Sequence, residues 1–253
     1  MIPIVPIIIQ FILLTSVGTQ SSFLTTDYLQ NGYFITVENE LRKVDSSGNL
    51  IAVYNQNRFG KLEFADATNP MKLVLSYPSY GTLVLLDNEL AEISTLSLRK
   101  INIQSYSAAC FSSIDNNIWI FDDQAFQLRK IDKNNRIVVE SGDMFSLIGK
   151  ALHPVFMQEH DQYVYLTDPE QGIVIFDIYG TYYQTLPITG VKKFQVRSDQ
   201  LFFREDNKLH TFHLKTLEKK YIELPGDDAI LDVSIEKNRL YLLSENKLDI
   251  YKY

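Results

Sequence analysis

The sequence predicts an all-β chain folded as a six-bladed β-propeller with four antiparallel strands per blade. Three observations lead there. Short runs of aromatic and β-branched residues, which suit a pleated, half-buried surface, alternate with polar turns throughout residues 19–253. A three-run unit recurs with a period of about 40 residues, the spacing of propeller blades. No long amphipathic helical pattern interrupts it.

The clearest copy spans residues 116–140: Asn-Asn-Ile-Trp-Ile-Phe-Asp-Asp-Gln, Ala-Phe-Gln-Leu-Arg-Lys-Ile-Asp, Lys-Asn-Asn-Arg-Ile-Val-Val-Glu. Leu128-Arg-Lys-Ile-Asp132 nearly duplicates Leu41-Arg-Lys-Val-Asp45 of the first copy. The units matched at Asp45, Asp87, Asp132, Asp177, Leu214 and Tyr251 are separated by 42, 45, 45, 37 and 37 residues. An Asp opening a type I turn, with Gly or Asn at a left-handed position three residues on, closes a tight hairpin. Gly48, Asn135 and Gly180 are therefore expected at positive φ. A further apolar run precedes each copy, at residues 23–26, 61–66, 107–112, 154–158, 193–197 and 231–236, and supplies an innermost strand. Trp119, alternating with Ile118 and Ile120, is expected to be at least half buried between sheets. The last copy ends at Tyr253 without an outer strand; in propellers that this pattern resembles, a segment from near the N-terminus often closes the ring. Residues 21–29 are the candidate, although the same residues are needed as the first blade's inner strand.

Strand-Asp-x-x-Gly-strand units of this length resemble those of NHL-type and TolB-like six-bladed propellers of the bacterial cell envelope, over nearly the whole of residues 19–253. The resemblance implies the fold and, by analogy, a rigid scaffold for protein partners; it implies no particular activity. The Trp-Asp dipeptide of WD40 blades is not found.

Residues 1–18 differ in character. They carry no charged side chain, and an apolar stretch leads to small residues at Ser16 and Gly18. This reads as a secretory signal peptide cleaved after Gly18, with an uncleaved anchor as the alternative; a basic n-region is missing. At about 17 residues with two prolines the segment is short for a bilayer-crossing helix. Cys110 is the sole cysteine and cannot form an internal disulfide; a buried, inert thiol is expected. With no Asn-x-Ser/Thr sequon, these features favour a periplasmic or outer-membrane-associated location.

The net charge of −7 argues against a nucleic-acid partner, which would need a basic footprint. No nucleophile elbow, zincin helix, phosphate-binding loop or paired-cysteine motif occurs, and no cofactor is expected. His210 and His213 lie three apart on one strand and face opposite ways, so they cannot share a metal there. Glu63, Asp66, Glu159 and Asp232 fall on inner strands and are the candidates for a channel metal. They do not recur at one blade position.

The second-to-third-strand loops are acidic in most blades, at Glu38 and Glu40, Asp122 and Asp123, Asp168 and Glu170, Glu205 and Asp206, and Glu245. All should emerge on one face, opposite loops that hold Lys133, Arg136, Lys215, Lys237 and Arg239. The same face should carry the long connection 141–154, with Met144, Phe145, Leu147 and Ile148. Exposed apolar residues within a charged rim mark partner surfaces. Asp122, Asp123, Phe145, Leu147, Asp168 and Glu170 are thus the candidate partner-binding residues. The function expected is a non-catalytic envelope scaffold, an accessory subunit of an outer-membrane assembly or secretion complex. A channel-site metal-dependent hydrolase or lactonase is the alternative, and a small-ligand or glycan-binding propeller a third.

Overall fold

The computed structural model describes residues 5–6, 9–226 and 228–253, with side chains from residue 9 onward. Residues 1–4 and 7–8 of the expected leader lie outside the described residues. Two short strands open the chain, β1 (Val5–Pro6) and β2 (Ile12–Gly18). The first blade is β3 to β6 (Ser21–Thr26, Gly32–Thr36, Glu40–Val44, Leu50–Asn55) and the second β7 to β10 (Phe64–Asp66, Leu73–Tyr77, Thr82–Leu86, Glu92–Ser97). The third is β11 to β14 (Tyr106–Phe111, Ile118–Asp122, Gln127–Ile131, Ile137–Glu140), followed by the single-turn helix α1 (Met144–Ile148). The fourth is β15 to β18 (Phe156–His160, Tyr163–Asp168, Gly172–Asp177, Tyr182–Leu186) and the fifth β19 to β22 (Phe194–Arg197, Gln200–Glu205, Lys208–His213, Lys219–Glu223). The sixth takes β23 to β25 (Ile230–Glu236, Arg239–Ser244, Lys247–Lys252) and closes with β2, in the order β2-β25-β24-β23. Each blade is a four-stranded antiparallel meander; β1 adds a parallel fifth strand outside β22. The six-bladed, all-β architecture is thus present.

Ring closure differs from expectation. Residues 21–26 serve only as the first inner strand. The closing strand is β2, paired antiparallel to β25 from Ile12↔Lys252 to Gly18↔Lys247. Its Ser16 hydroxyl donates to Asp249. Charge-free, β-branched sequence suits an edge strand as well as a leader, which is why composition alone did not reveal it.

The repeated aspartates build the third-to-fourth-strand turns as expected. Oδ1 of Asp45 accepts from the N–H groups of Ser47 and Asn49; Asp87, Asp132 and Asp177 repeat the pattern two and four residues on. Gly48, Asn135 and Gly180 adopt φ of 83°, 62° and 79°. In the fifth blade His213, not Leu214, takes the aspartate's place: its Nδ1 accepts from Lys215 and Thr216, and Leu217 takes the left-handed position at 59°. An imidazole nitrogen is an acceptor of the right reach, so the turn survives the change of residue type.

Apolar side chains gather into clusters, each lying between neighbouring blades. Tyr33, Leu41 and Tyr54 of the first blade meet Leu73, Leu75 and Tyr77 of the second, and Cys110, Trp119 and Phe121 of the third meet Met157, Val164 and Phe176 of the fourth. Strand alternation gives each sheet two apolar faces, and the propeller covers both. Trp119 is fully buried, and burial also pushes the Cys110 thiol up, keeping it protonated.

Candidate functional site

Inner strands all run from the face holding the blade connections and second-to-third-strand loops, here the upper face, to the face holding the first-to-second and third-to-fourth turns, the lower face. Two cavities lie along the axis. The upper one, of about 670 Å³, is bordered by Ser22, Glu63, Lys193 and Asp232. The lower one, of about 550 Å³, is bordered by Thr26, Asp66, Glu159 and Glu236. Phe64, Phe156 and Phe194 border both and stand between them. They form an edge-to-face chain: Phe23–Phe64 at 5.4 Å, Phe64–Phe156 at 5.5 Å and Phe156–Phe194 at 5.0 Å. Such stacking is the favoured arrangement of aromatic rings.

Polar side chains of the inner strands reach sideways and bond the neighbouring blade. Asp66 Oδ2 accepts from Phe111 N–H at 2.7 Å, bonding the second blade to the third. Glu159 accepts from Ser113 N–H at 2.9 Å and Trp119 Nε1 at 2.8 Å, bonding the fourth to the third. Gln158 accepts from Val196 N–H, Gln195 from Ile235 N–H, and Asp232 from Leu24 N–H, which carries the series through the fifth and sixth blades to the first. Lys193 bonds Asp232 at 2.8 Å and the Leu24 carbonyl, and lies 4.9 Å from the Phe23 ring centroid. The inner strands of adjacent blades belong to separate sheets and form no ladder with one another, so N–H groups facing the next blade need side-chain acceptors. These residues meet that need.

This geometry separates the channel-metal candidates. Glu63 and Asp232 stand at the upper mouth, Asp66 and Glu159 at the lower. Three of the four carboxylates are held by backbone or side-chain donors from a neighbouring blade. Among the described residues no group of three or more His, Cys, Asp or Glu side chains is placed to hold a metal. Burial pushes the Asp66 carboxyl up, against its three hydrogen bonds to Phe111 and Thr68. At the lower mouth burial pushes Glu236 up to about 7, opposed by the Arg197 guanidinium at 3.2 Å and the Thr26 hydroxyl.

The candidate partner residues share the upper face but not one role. Asp122 and Asp168 are buried turn builders at equivalent positions. Asp122 Oδ1 accepts from Gln124 and Ala125, and its Oδ2 pairs with Arg129 at 2.5 Å; Asp168 Oδ1 accepts from Glu170 and Gln171. Asp168 Oδ2 also takes His153 N–H at 2.7 Å, tying down the end of the long connection. Asp123 is half-buried, with its carboxyl pushed up by burial and by Asp122; Glu170 is exposed. Sequence reading could not separate these pairs, because Asp-Asp and Asp-Pro-Glu read equally as charged surface or as side chain-to-backbone turns.

The 141–154 connection forms α1 as an anchored projection. Asp143 caps it by accepting from Ser146 N–H, and Met144 enters the apolar cluster between the third and fourth blades, with its N–H on the Phe126 carbonyl. Phe145 is 66% exposed and Leu147 39%. Leu147 folds back on Gly142, where a Cβ would lie 3.2 Å from it. The acidic loops do emerge on this face, yet Arg99, Lys100, Lys150, Lys192 and Arg204 stand among them, and the lower-face turns carry the repeated aspartates. The expected division of charge between the faces is therefore not realised. The connections between blades, whose charges the repeat pattern does not constrain, supply the cations.

No protein-family model matches the sequence, and no curated protein matches it significantly. Solved structures match its fold. The WD40 domain of Neurospora crassa Pan2 superposes with a TM-score of 0.69 at 10% identity, covering 99% of this chain and 98% of that one. A catalytically inactive virginiamycin B lyase from Staphylococcus aureus, solved with quinupristin, gives 0.69 at 11% identity, covering 96% and 100%. A streptogramin B lyase gives 0.64 at 14%, covering 96% and 87%. At such identities the likeness is one of fold: it shows a six-bladed β-propeller and does not single out the NHL-type or TolB-like kind.

Proposed function

We propose that this protein is a non-catalytic interaction scaffold that meets a protein partner through the upper face around α1. One observation carries the reading. Phe145 stands exposed on a helical turn fixed to the core by Met144, so an apolar anchor is presented on a rigid support. Anchors of this kind dominate the energetics of interfaces when ringed by polar groups. Asp123, Glu170 and Lys150 are the charged groups that the loops of this face supply for such a ring. The phenylalanine layer that divides the axis and the three carboxylates held by neighbouring blades support the same reading, because they interrupt the channel and engage most of its acidic groups.

The finer proposal is that the partner belongs to a bacterial envelope complex, of the outer-membrane assembly or secretion kind, and that the protein is periplasmic or outer-membrane-associated. It rests on the leader-like composition of residues 1–18. Cleavage after Gly18 would remove β2 from the sixth blade, so fractionation combined with intact-mass measurement tests both points. Recovery only from the cytosol would refute the location.

The scaffold itself is tested by comparative affinity purification. Wild-type protein and the Phe145→Ser/Leu147→Ser variant are used as baits from the native organism. The partner should be retained by the first and lost by the second, with faster dissociation. Equal retention would refute the assignment to α1. A second reading is supported by the upper cavity, whose volume suits a small ligand and whose floor is aromatic. It predicts saturable small-molecule binding that Phe64→Ala weakens and Phe145→Ser does not.

A further inference from the structure

The interface between the fifth and sixth blades holds a cleft of about 580 Å³. Leu209 and Ile222 form one wall, Ile235 and Leu240 the other, and Ile9 and Phe11 of the N-terminal segment a third. Phe11 is fixed there by edge-to-face contacts with Tyr251 at 6.2 Å and Tyr253 at 5.9 Å. The turns bearing Arg197, His213 and Lys237 place the mouth at the lower face. Arg197 is paired with Glu236, and Asp199 with Lys215 at 2.8 Å. Lys237 makes no close ion pair among the described residues; its ammonium lies on the exposed rim, near enough to the Glu236 carboxyl to act on it.

We propose that this cleft binds a free fatty acid, with the alkyl chain between the two sheets and the carboxylate at Lys237. The chemistry of the walls selects that class. Ser198, Gln200, Thr211 and His213 also line the cleft, but a sugar or nucleotide reaching past them would set polar atoms against leucine and isoleucine, which return no hydrogen bonds. An unbranched alkyl chain loses no hydrogen bond there and gains apolar contact on three sides. The volume lies within the usual range for small-molecule sites. A terminal anion meets Lys237, whereas the outer nitrogens of Arg197 are engaged by the Ile235 carbonyl and Glu236; a terminal cation would meet repulsion from Lys237. Because Ile9 and Phe11 form a wall, the site belongs to the chain that retains residues 1–18, and a bound alkyl chain also holds the segment that leads into β2. Occupancy therefore stabilises closure of the ring, by the ordinary linkage between binding and folding.

The test uses the full 253-residue chain, with dodecanoate below its micellar concentration and dodecanol as the neutral counterpart. Calorimetry should show saturable dodecanoate binding, and thermal melts should shift upward with ligand. Lys237→Glu lies on an exposed turn; it should weaken dodecanoate at least fivefold and leave dodecanol unchanged. Ile222→Trp fills the cleft from its outer strand and should abolish both. If that variant fails to fold, Lys237→Glu against the acid and alcohol pair still decides. Absence of saturable binding, equal affinity for acid and alcohol, or an unaltered Lys237→Glu affinity would each overturn the proposal. So would binding only to phosphatidylcholine vesicles, which would make the cleft a membrane contact instead.

Discussion

Replacing Glu159 tests whether the inner-strand carboxylates hold the ring together. Its two oxygens take separate donors, Ser113 N–H at 2.9 Å and Trp119 Nε1 at 2.8 Å, and both donors belong to the third blade. Glu159→Gln keeps the volume but offers one acceptor and one NH2 group, so one donor must face another donor. A buried hydrogen bond to a charged group contributes about 1.5–3 kcal/mol. The neutral amide recovers part of this because it needs less desolvation. A net loss of about 1–2 kcal/mol is expected, or a fall in Tm of about 2–8 °C for a domain of this size. Trp119, the sole tryptophan, reports directly in urea denaturation: the midpoint should fall with the slope unchanged. Trp119→Phe, followed by circular dichroism, leaves Oε2 unpaired and should also destabilise. The double variant should cost less than the sum of the two singles. A Glu159→Gln midpoint within about 0.5 kcal/mol of wild type would refute the reasoning.

Gly48→Val should destabilise by more than the roughly 1–2 kcal/mol of a forced left-handed backbone, because a Cβ there meets Thr15 Cγ2 of β2 at 2.7 Å. Gly190→Val, also at positive φ but with open space around it, should cost less, and denaturation midpoints compare the two. Glu236, at about 7 in the folded state against an ordinary 4.5, binds its proton more tightly in the native protein than in the unfolded chain. Its contribution is full below pH 4.5 and is lost as pH rises through 7, by on the order of 3 kcal/mol. Stability curves of wild type and Glu236→Gln should converge at low pH and part above it, and parallel curves would contradict this. Asp122→Asn should lower stability through its turn and its Arg129 pair while leaving partner dissociation nearly unchanged, the reverse of Phe145→Ser. Binding kinetics beside melting curves separate them.

The blades were legible because strand periodicity and turn chemistry are local. Asp45, Asp132 and Asp177 each close a turn within five residues, so their geometry depends on nothing distant. Trp119 could be placed in the core from alternation with Ile118 and Ile120. Its partner Glu159 could not, since it lies 40 residues away on another blade. The same distance hid the true role of Asp66 and Asp232, which read as metal candidates when seen singly and as inter-blade acceptors only when the ring is assembled. His213 was passed over because a turn motif written as aspartate does not show that an imidazole nitrogen can accept from the N–H groups two and three residues on.

Ring closure is the least local feature of all, and it explains how the N-terminal residues can read as a leader. A closing strand at the outer edge of the last blade faces solvent on its far side and is not held in a buried alternation; Ile12, Leu13 and Leu14 are all exposed. Among the described residues, backbone pairing to β25, the Ser16–Asp249 bond and packing of Thr15 and Val17 against the first and sixth blades fix it. A strand so attached depends on its ladder more than on its side chains. Deleting residues 1–18 should therefore cost several kcal/mol and lower the cooperativity of unfolding, a large share of a domain's stability. Ile12→Ser with Leu14→Ser, which leaves the ladder intact, should cost little. If the serine variant unfolds as readily as the deletion, side-chain burial rather than strand pairing closes the ring, and the account of β2 is wrong.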